Sequence, residues 1–135
     1  MIIYLDFDGT VVEHQYPSIG IYNTGCTEVI KKLKLAGHEI ILNTYRANCN
    51  DGTLEEAVAY LTLKNLFTYI TSIQDEKIEP IAWNWKTHLE KLVIFIDDIC
   101  EGIPTKPTDT AEYEIVDWQK VDEEFEENGM YKNIK

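Results

Sequence analysis

The sequence predicts an α/β domain built on a largely parallel sheet. Strand-like apolar runs alternate with helical patterns, and the two clearest runs, residues 2–6 and 92–96, are apolar almost throughout. Strands of a parallel sheet are covered on both faces, so they are typically continuous apolar runs. The chain has 135 residues, 44% of them apolar, which suits a single domain over residues 1–135.

Five segments have the composition of short buried strands. They are rich in β-branched and aromatic side chains, which favour extended structure. We expect these strands at residues 2–6, 38–43, 66–70, 92–96 and 113–116. Helical segments separate most of them, so a five-stranded and mainly parallel sheet is predicted.

Three helices are predicted, each with apolar residues at helical spacing along one side. The first follows a cap at Asn23 or Thr24. The second opens with a capping box formed by Thr53 and Glu56. The third follows a cap at Asp117.

Charge and cysteine content exclude several classes of protein. The formal net charge is -12, which argues against nucleic acid or an anionic membrane as a partner, since both need a basic face. No apolar stretch is long enough for a leader or a membrane span. Three cysteines without a CxxC pair do not suggest a disulfide framework, so a cytoplasmic location is expected.

Acidic residues follow the two clearest strands. Asp6 and Asp8 come after the first, Asp97 and Asp98 after the fourth, and Thr44 follows the second. The carboxyl ends of parallel strands meet at one edge of a sheet, where ligands bind. Four carboxylates in one crevice would repel each other without a cation, and hard oxygen ligands suit Mg²⁺.

A turn is the alternative explanation for the first acid pair, because Asp-Gly often forms the turn of a hairpin. The stretch DFDGT at residues 6–10 could then be a strand end and nothing more. That explanation accounts poorly for a second acid pair at a second strand end, so we favour a functional site.

Three motifs resemble those of the haloacid dehalogenase (HAD) superfamily. DFDGT at residues 6–10 resembles its first motif, ILNT at 41–44 its second, and FIDD at 95–98 its fourth in the DD form. The resemblance covers roughly residues 1–120 and implies a three-layer, Rossmann-like HAD fold. The connections leave no room for a cap domain, so the chain is similar to the small capless HAD-like hydrolases.

The resemblance implies a Mg²⁺-dependent phosphomonoester hydrolase. Asp6 would be the nucleophile that becomes an aspartyl phosphate, and Asp8 the general acid and base. Asp8 would also offer its backbone carbonyl to the metal. Asp98 would be a direct metal ligand and Asp97 an indirect one. Thr44 would bind a phosphate oxygen.

The lysine of the third motif is ambiguous in this sequence. Lys86 is favoured because it lies far enough upstream of the fourth strand to reach the site. Lys91 directly precedes the strand, which places it at the opposite end of the sheet, and Lys77 is the most distant candidate.

The remaining site candidates are substrate contacts. Gly9, Thr10, Arg46 and His14 are assigned here. Arg46 could equally be a surface residue, and for His14 an exposed loop position is the favoured alternative. Trp83 and Trp85 are expected to pack in the core or an interface rather than stack on a ligand.

The expected partner is a small phosphorylated substrate, and an open capless site also suits a homo-oligomer. Two alternatives stay open: a Mg²⁺- and phosphoester-binding or regulatory module with little turnover, and a phosphatase acting on nucleic-acid ends.

Overall fold

A computed structural model describes residues 1–109 and 112–132. Its main sheet has four parallel strands in the order β3-β2-β1-β4. The strands are β1 (Ile2–Leu5), β2 (Glu39–Leu42), β3 (Ser72–Ile73) and β4 (Ile94–Ile96). The prediction of an α/β domain with a parallel sheet is therefore confirmed.

Five helices accompany this sheet in the described part of the chain. They are α1 (Cys26–Leu35), α2 (Arg46–Cys49), α3 (Thr53–Leu63), α4 (Trp85–Lys91) and α5 (Trp118–Glu127). Helix α5 buries Trp118, Val121 and Phe125, in one core with the apolar side chains of β1, β2 and β4. None of the helices in residues 1–109 and 112–132 is both long and apolar enough to cross a membrane.

The fifth predicted strand does not extend the main sheet. From the predicted segment 113–116, Ile115–Val116 forms β6, which pairs antiparallel with β5 (Thr105–Lys106) in a separate two-stranded sheet. The Val116 N–H donates to the Gly9 carbonyl, so β6 lies against the loop that follows β1. The main sheet accordingly has four strands in the described residues rather than five.

The third strand also begins later than predicted. Residues Phe67–Tyr69 form a turn of 3-10 helix, in which the Tyr69 N–H bonds to Leu66 and the Ile70 N–H to Phe67. These local hydrogen bonds use the donors that a strand would give to its neighbour. Pairing with β2 begins only where the Thr71 N–H donates to the Ile40 carbonyl.

Two of the three predicted caps are wrong. Gly25 occupies the cap position of α1, while the Asn23 side chain instead donates to the carbonyls of Thr10 and Val116. Gly52 occupies the cap position of α3, whose first turn has no side-chain cap. The Asp117 cap is confirmed, because its carboxylate accepts the Lys120 N–H.

The register of the sheet brings three strand ends to one level. Leu5 of β1 pairs with Leu42 of β2 and with Ile96 of β4. The next residue of each strand therefore emerges at the same edge, where Asp6 donates its N–H to the Ile96 carbonyl.

Candidate functional site

Three carboxylates meet at the carboxyl edge of the sheet. Asp6, Asp97 and Asp98 each place a carboxylate oxygen within 4.8 Å of the others. Asp6 and Asp97 are only 4% and 1% exposed. The register of β1 and β4 thus produces the cluster of acids that the sequence predicts, with Asp8 outside it.

Lys77 is the cation that neutralises part of this cluster. Its Nζ lies 3.1 Å from Asp6 Oδ1 and 2.8 Å from Asp97 Oδ2, with the Lys77 side chain 4% exposed. The prediction that Lys86 reaches the site is wrong, because Lys86 is exposed in the first turn of α4. Lys91 instead lies over the Trp83 ring, 5.7 Å from its centroid.

The path of the chain explains why Lys77 reaches the site. Strand β3 ends at Ile73 on the same edge as β1 and β2, so the next few residues start beside the acids. The Asn43 side chain holds this segment through hydrogen bonds with both backbone groups of Ile78. The sequence prediction put the third strand at residues 66–70, which left Lys77 far from a predicted strand end. The position of Lys77 just after a strand was therefore not recognised.

Burial and mutual repulsion control the ionisation of the cluster. The pKa of Asp6 is raised well above its ordinary value by burial and then by Asp97, against the opposing effect of Lys77. Burial and Asp97 also raise the pKa of Asp98. Burial acts to lower the pKa of Lys77, but Asp6 and Asp97 together raise it, so Lys77 stays charged.

Asp8 is held apart from this cluster by Arg46. Nε and Nη2 of Arg46 each lie 2.8 Å from a different Asp8 oxygen. The remaining N–H groups donate to the carbonyls of Pro17, Ser18 and Thr53. A guanidinium has five N–H donors, and all five are used. Arg46 is 1% exposed, so it is not a surface residue, and its contact with substrate stays a prediction.

The two residues after Asp8 shape the surroundings of Asp6. Thr10 is fully buried and its hydroxyl donates to Asp6 Oδ2 at 3.1 Å. Gly9 has a φ of 83°, and a Cβ there would collide with His14 and with the Asp98 carboxyl group. The Gly9 N–H donates to the Val12 carbonyl. Both residues therefore shape the site, and their contact with substrate stays a prediction.

His14 and Thr44 both line the cavity above the acids. His14 Nε2 lies 2.9 Å from Asp98 Oδ2, which brings the loop after β1 against the end of β4. Thr44 is 1% exposed, and its Oγ1 accepts the Arg46 backbone N–H at 3.2 Å. That contact leaves the hydroxyl hydrogen of Thr44 to donate to an acceptor in the cavity.

The cavity encloses about 310 Å³ and is also lined by residues outside the predicted set of site residues. These are Tyr16, Tyr45, Cys49 and Ile99. Aromatic side chains in loops lack a local signal that separates a ligand contact from packing. Trp85 is core, as expected: it is fully buried, and its indole N–H donates to Glu124.

The oxygen atoms of the three acids are suitable ligands for a hard divalent cation. Three carboxylates against one ammonium leave two formal negative charges in the cluster. Asp97 Oδ2 is buried and has no hydrogen bond, and its contact is the ion pair with Lys77. Carboxylate oxygens are ligands of hard cations such as Mg²⁺, and these three acids could hold a metal ion.

Comparisons with known proteins add a fold relative. No protein-family model matches the chain, and no curated protein matches it. A solved structure, that of a conserved protein from Bacteroides thetaiotaomicron, is 29% identical over 94% of this chain and 90% of that one, with a TM-score of 0.61. The chain therefore shares an α/β architecture with this conserved protein.

Proposed function

We propose that this protein is a Mg²⁺-dependent phosphomonoester hydrolase of the capless HAD type, acting through an aspartyl phosphate. The observation that carries the proposal is the cluster of Asp6, Asp97 and Asp98 around Lys77 at the carboxyl edge of a parallel sheet. The resemblance of residues 6–10, 41–44 and 95–98 to three HAD motifs supports it. The three-layer HAD fold belongs to the same proposal.

In the first step, a carboxylate oxygen of Asp6 attacks phosphorus. The bond between phosphorus and the leaving oxygen breaks, and its electron pair goes to that oxygen, which takes a proton from Asp8. Thr10 and Lys77 hold the two Asp6 oxygens at 3.1 Å each, which fixes the carboxylate for attack.

In the second step, water replaces Asp6 on phosphorus. Asp8 takes a proton from the water, whose oxygen bonds to phosphorus as the bond to Asp6 breaks. Inorganic phosphate leaves, and the Asp6 carboxylate and the Asp8 acid are restored. Thr44 donates to a phosphate oxygen.

Asp6, Asp97 and Asp98, with the backbone carbonyl of Asp8, would hold the metal. Bound Mg²⁺ would supply positive charge that favours ionised Asp6 and lets an anionic nucleophile approach an anionic phosphate. The three free cysteines suit the reducing cytoplasm that we propose as the location.

The paired state of Asp8 favours a second candidate function. Both Asp8 oxygens accept N–H groups of Arg46, and proton transfer competes with these contacts. A protein that binds Mg²⁺ and a phosphoester but turns it over slowly would also have this arrangement. Phosphate release separates the two candidates directly.

The test measures phosphate release from p-nitrophenyl phosphate and a panel of metabolite phosphates, with Mg²⁺ and with EDTA. Asp6→Asn should lower turnover by roughly 10³-fold or more, while Asp75→Asn, at an exposed acid, serves as the matched control. Activity that persists in excess EDTA, or in Asp6→Asn, would reject the mechanism. Metal binding without release from any substrate would favour the binding module.

A phosphatase of nucleic-acid ends is the least favoured alternative. The net charge of -12 opposes a polyanion, and Arg46 and Lys77 are already paired with carboxylates. Titration of a labelled 3'-phosphorylated oligonucleotide at low salt tests this alternative, and tight binding would revive it.

A further inference from the structure

The mouth of the cavity is aromatic although its floor is acidic. Tyr16 and Tyr45 line it and are 48% and 50% exposed, and Ile99 beside them is 56% exposed. Tyr113, 64% exposed, continues this surface, with its ring centroid 5.8 Å from that of His14. Large apolar side chains around a polar floor are typical of ligand sites.

A cation lies over each of the two tyrosine rings that line the mouth. Lys77 Nζ lies over the Tyr45 ring, 4.6 Å from its centroid, and Arg46 Cζ lies 5.1 Å from the Tyr16 centroid. The Tyr16 hydroxyl also lies 3.1 Å from Cys49 Sγ. Contacts that restrict a ring before binding reduce the conformational entropy that it loses when a ligand packs on it.

The two cations that line the cavity, Arg46 and Lys77, are already paired with acids. Arg46 uses every N–H donor, Lys77 contacts Asp6 and Asp97, and the Tyr16 hydroxyl lies against Cys49 and Asp51. An anionic leaving group would therefore find no unpaired cation among these side chains. An uncharged planar ring needs only apolar area and a ring to stack on.

We propose that the leaving group of the substrate carries an uncharged, planar aromatic ring that packs on Tyr45 and Tyr16 while the phosphate lies at the acids. This inference rests on the proposed function for the position of the phosphate. A cavity of about 310 Å³ is at the small end of the roughly 300–1,000 Å³ typical of ligand sites. One phosphate and one ring suit that size.

The test separates ring recognition from turnover. Benzylphosphonate and cyclohexylmethylphosphonate have the same charge and similar size, resist hydrolysis, and differ in the planar ring. With Mg²⁺ present, calorimetry should show benzylphosphonate binding about threefold to tenfold more tightly. Equal affinities, a preference for the saturated ring, or no binding of either would overturn the proposal.

Variants of Tyr45 test whether its ring causes the preference for benzylphosphonate. Tyr45→Leu keeps an apolar side chain but removes the ring, so the affinity ratio should fall towards one. Tyr45→Phe keeps the ring and should keep the ratio. An unchanged ratio in Tyr45→Leu would contradict the assigned position of the ring.

Hydrolysis of benzyl phosphate then reports on the proposed function alone. If benzylphosphonate is preferred and benzyl phosphate releases no phosphate, ring recognition stands and the hydrolase proposal fails. If phosphate is released from benzyl and cyclohexylmethyl phosphate while the phosphonates bind equally, the hydrolase proposal stands and ring recognition fails.

Discussion

The two cation-carboxylate groups of the cavity are built differently. Arg46 donates every N–H group, two of them to Asp8 and the others to backbone carbonyls. Lys77 is shared between Asp6 and Asp97, close to a third carboxylate, Asp98. The first group is one cation for one acid, and the second is one cation for three.

This difference divides the site into a neutral, fixed half and a half with excess negative charge. A guanidinium fork matches a carboxylate in geometry, which makes the pair with Asp8 rigid. An ammonium is a point charge that cannot satisfy three acids. A divalent cation is therefore expected to bind at Asp6, Asp97 and Asp98 and to leave Asp8 with Arg46.

Removing Arg46 should have the largest effect on stability. Arg46→Met leaves Asp8 without its partner and three backbone carbonyls without a donor. Loss of one partner of a buried ion pair costs about 3–5 kcal/mol, measured as the free energy of unfolding in urea. Lys32→Met is the control, since the Lys32–Asp122 pair is exposed and should contribute less than about 1 kcal/mol. Similar losses in both variants would show that the Arg46 group has no special role.

Mg²⁺ should stabilise the folded protein by binding to Asp6, Asp97 and Asp98, without involving the Asp8 carboxylate. At about 100 times its Kd, a ligand stabilises the folded state by about 2.7 kcal/mol, which appears as a Tm higher by several degrees. Asp98→Asn should lose most of this shift, whereas Asp8→Asn should keep it because that carboxylate is paired with Arg46. If both variants lose it equally, the division of the site is wrong.

The pH dependence of stability should show the smallest effect. The pKa of Asp6 is higher in the folded protein, through burial and then Asp97, so the folded state binds this proton more tightly than the unfolded chain. Its stabilising contribution is complete below the unfolded pKa and is lost as pH rises through the folded pKa. Each unit of difference in pKa corresponds to about 1.4 kcal/mol.

Urea unfolding in EDTA from pH 5 to pH 8 checks that sign. Wild type should lose stability relative to Asp6→Asn as the pH rises. A relative gain would mean that Lys77 stabilises ionised Asp6 more than burial and Asp97 oppose it.

Local sequence patterns predict the parts of the molecule that depend on neighbouring residues. The apolar runs ending in Asp6 and in Asp97 and Asp98 predicted two strands that lie side by side in the sheet. The buried face of α5 was predicted in the same way. The segment 66–70 was misplaced, because its apolar composition suits a 3-10 turn as well as a strand.

The partners of the acids depend on residues far apart in the chain. Lys77 is 71 positions from Asp6, and Arg46 is 38 positions from Asp8. In the sequence, several lysines and one arginine are equally able to pair with these acids. Only the path of each loop in the folded chain decides which basic side chain becomes buried beside them.

The sequence by itself determined that acids would meet at the carboxyl edge of a parallel sheet, since strand composition and strand ends are local properties. The tertiary structure alone decided which cation pairs with which acid and which tyrosines line the mouth. Burial is the physical reason: it makes an unpaired charge costly and so selects among the side chains that the loops bring near.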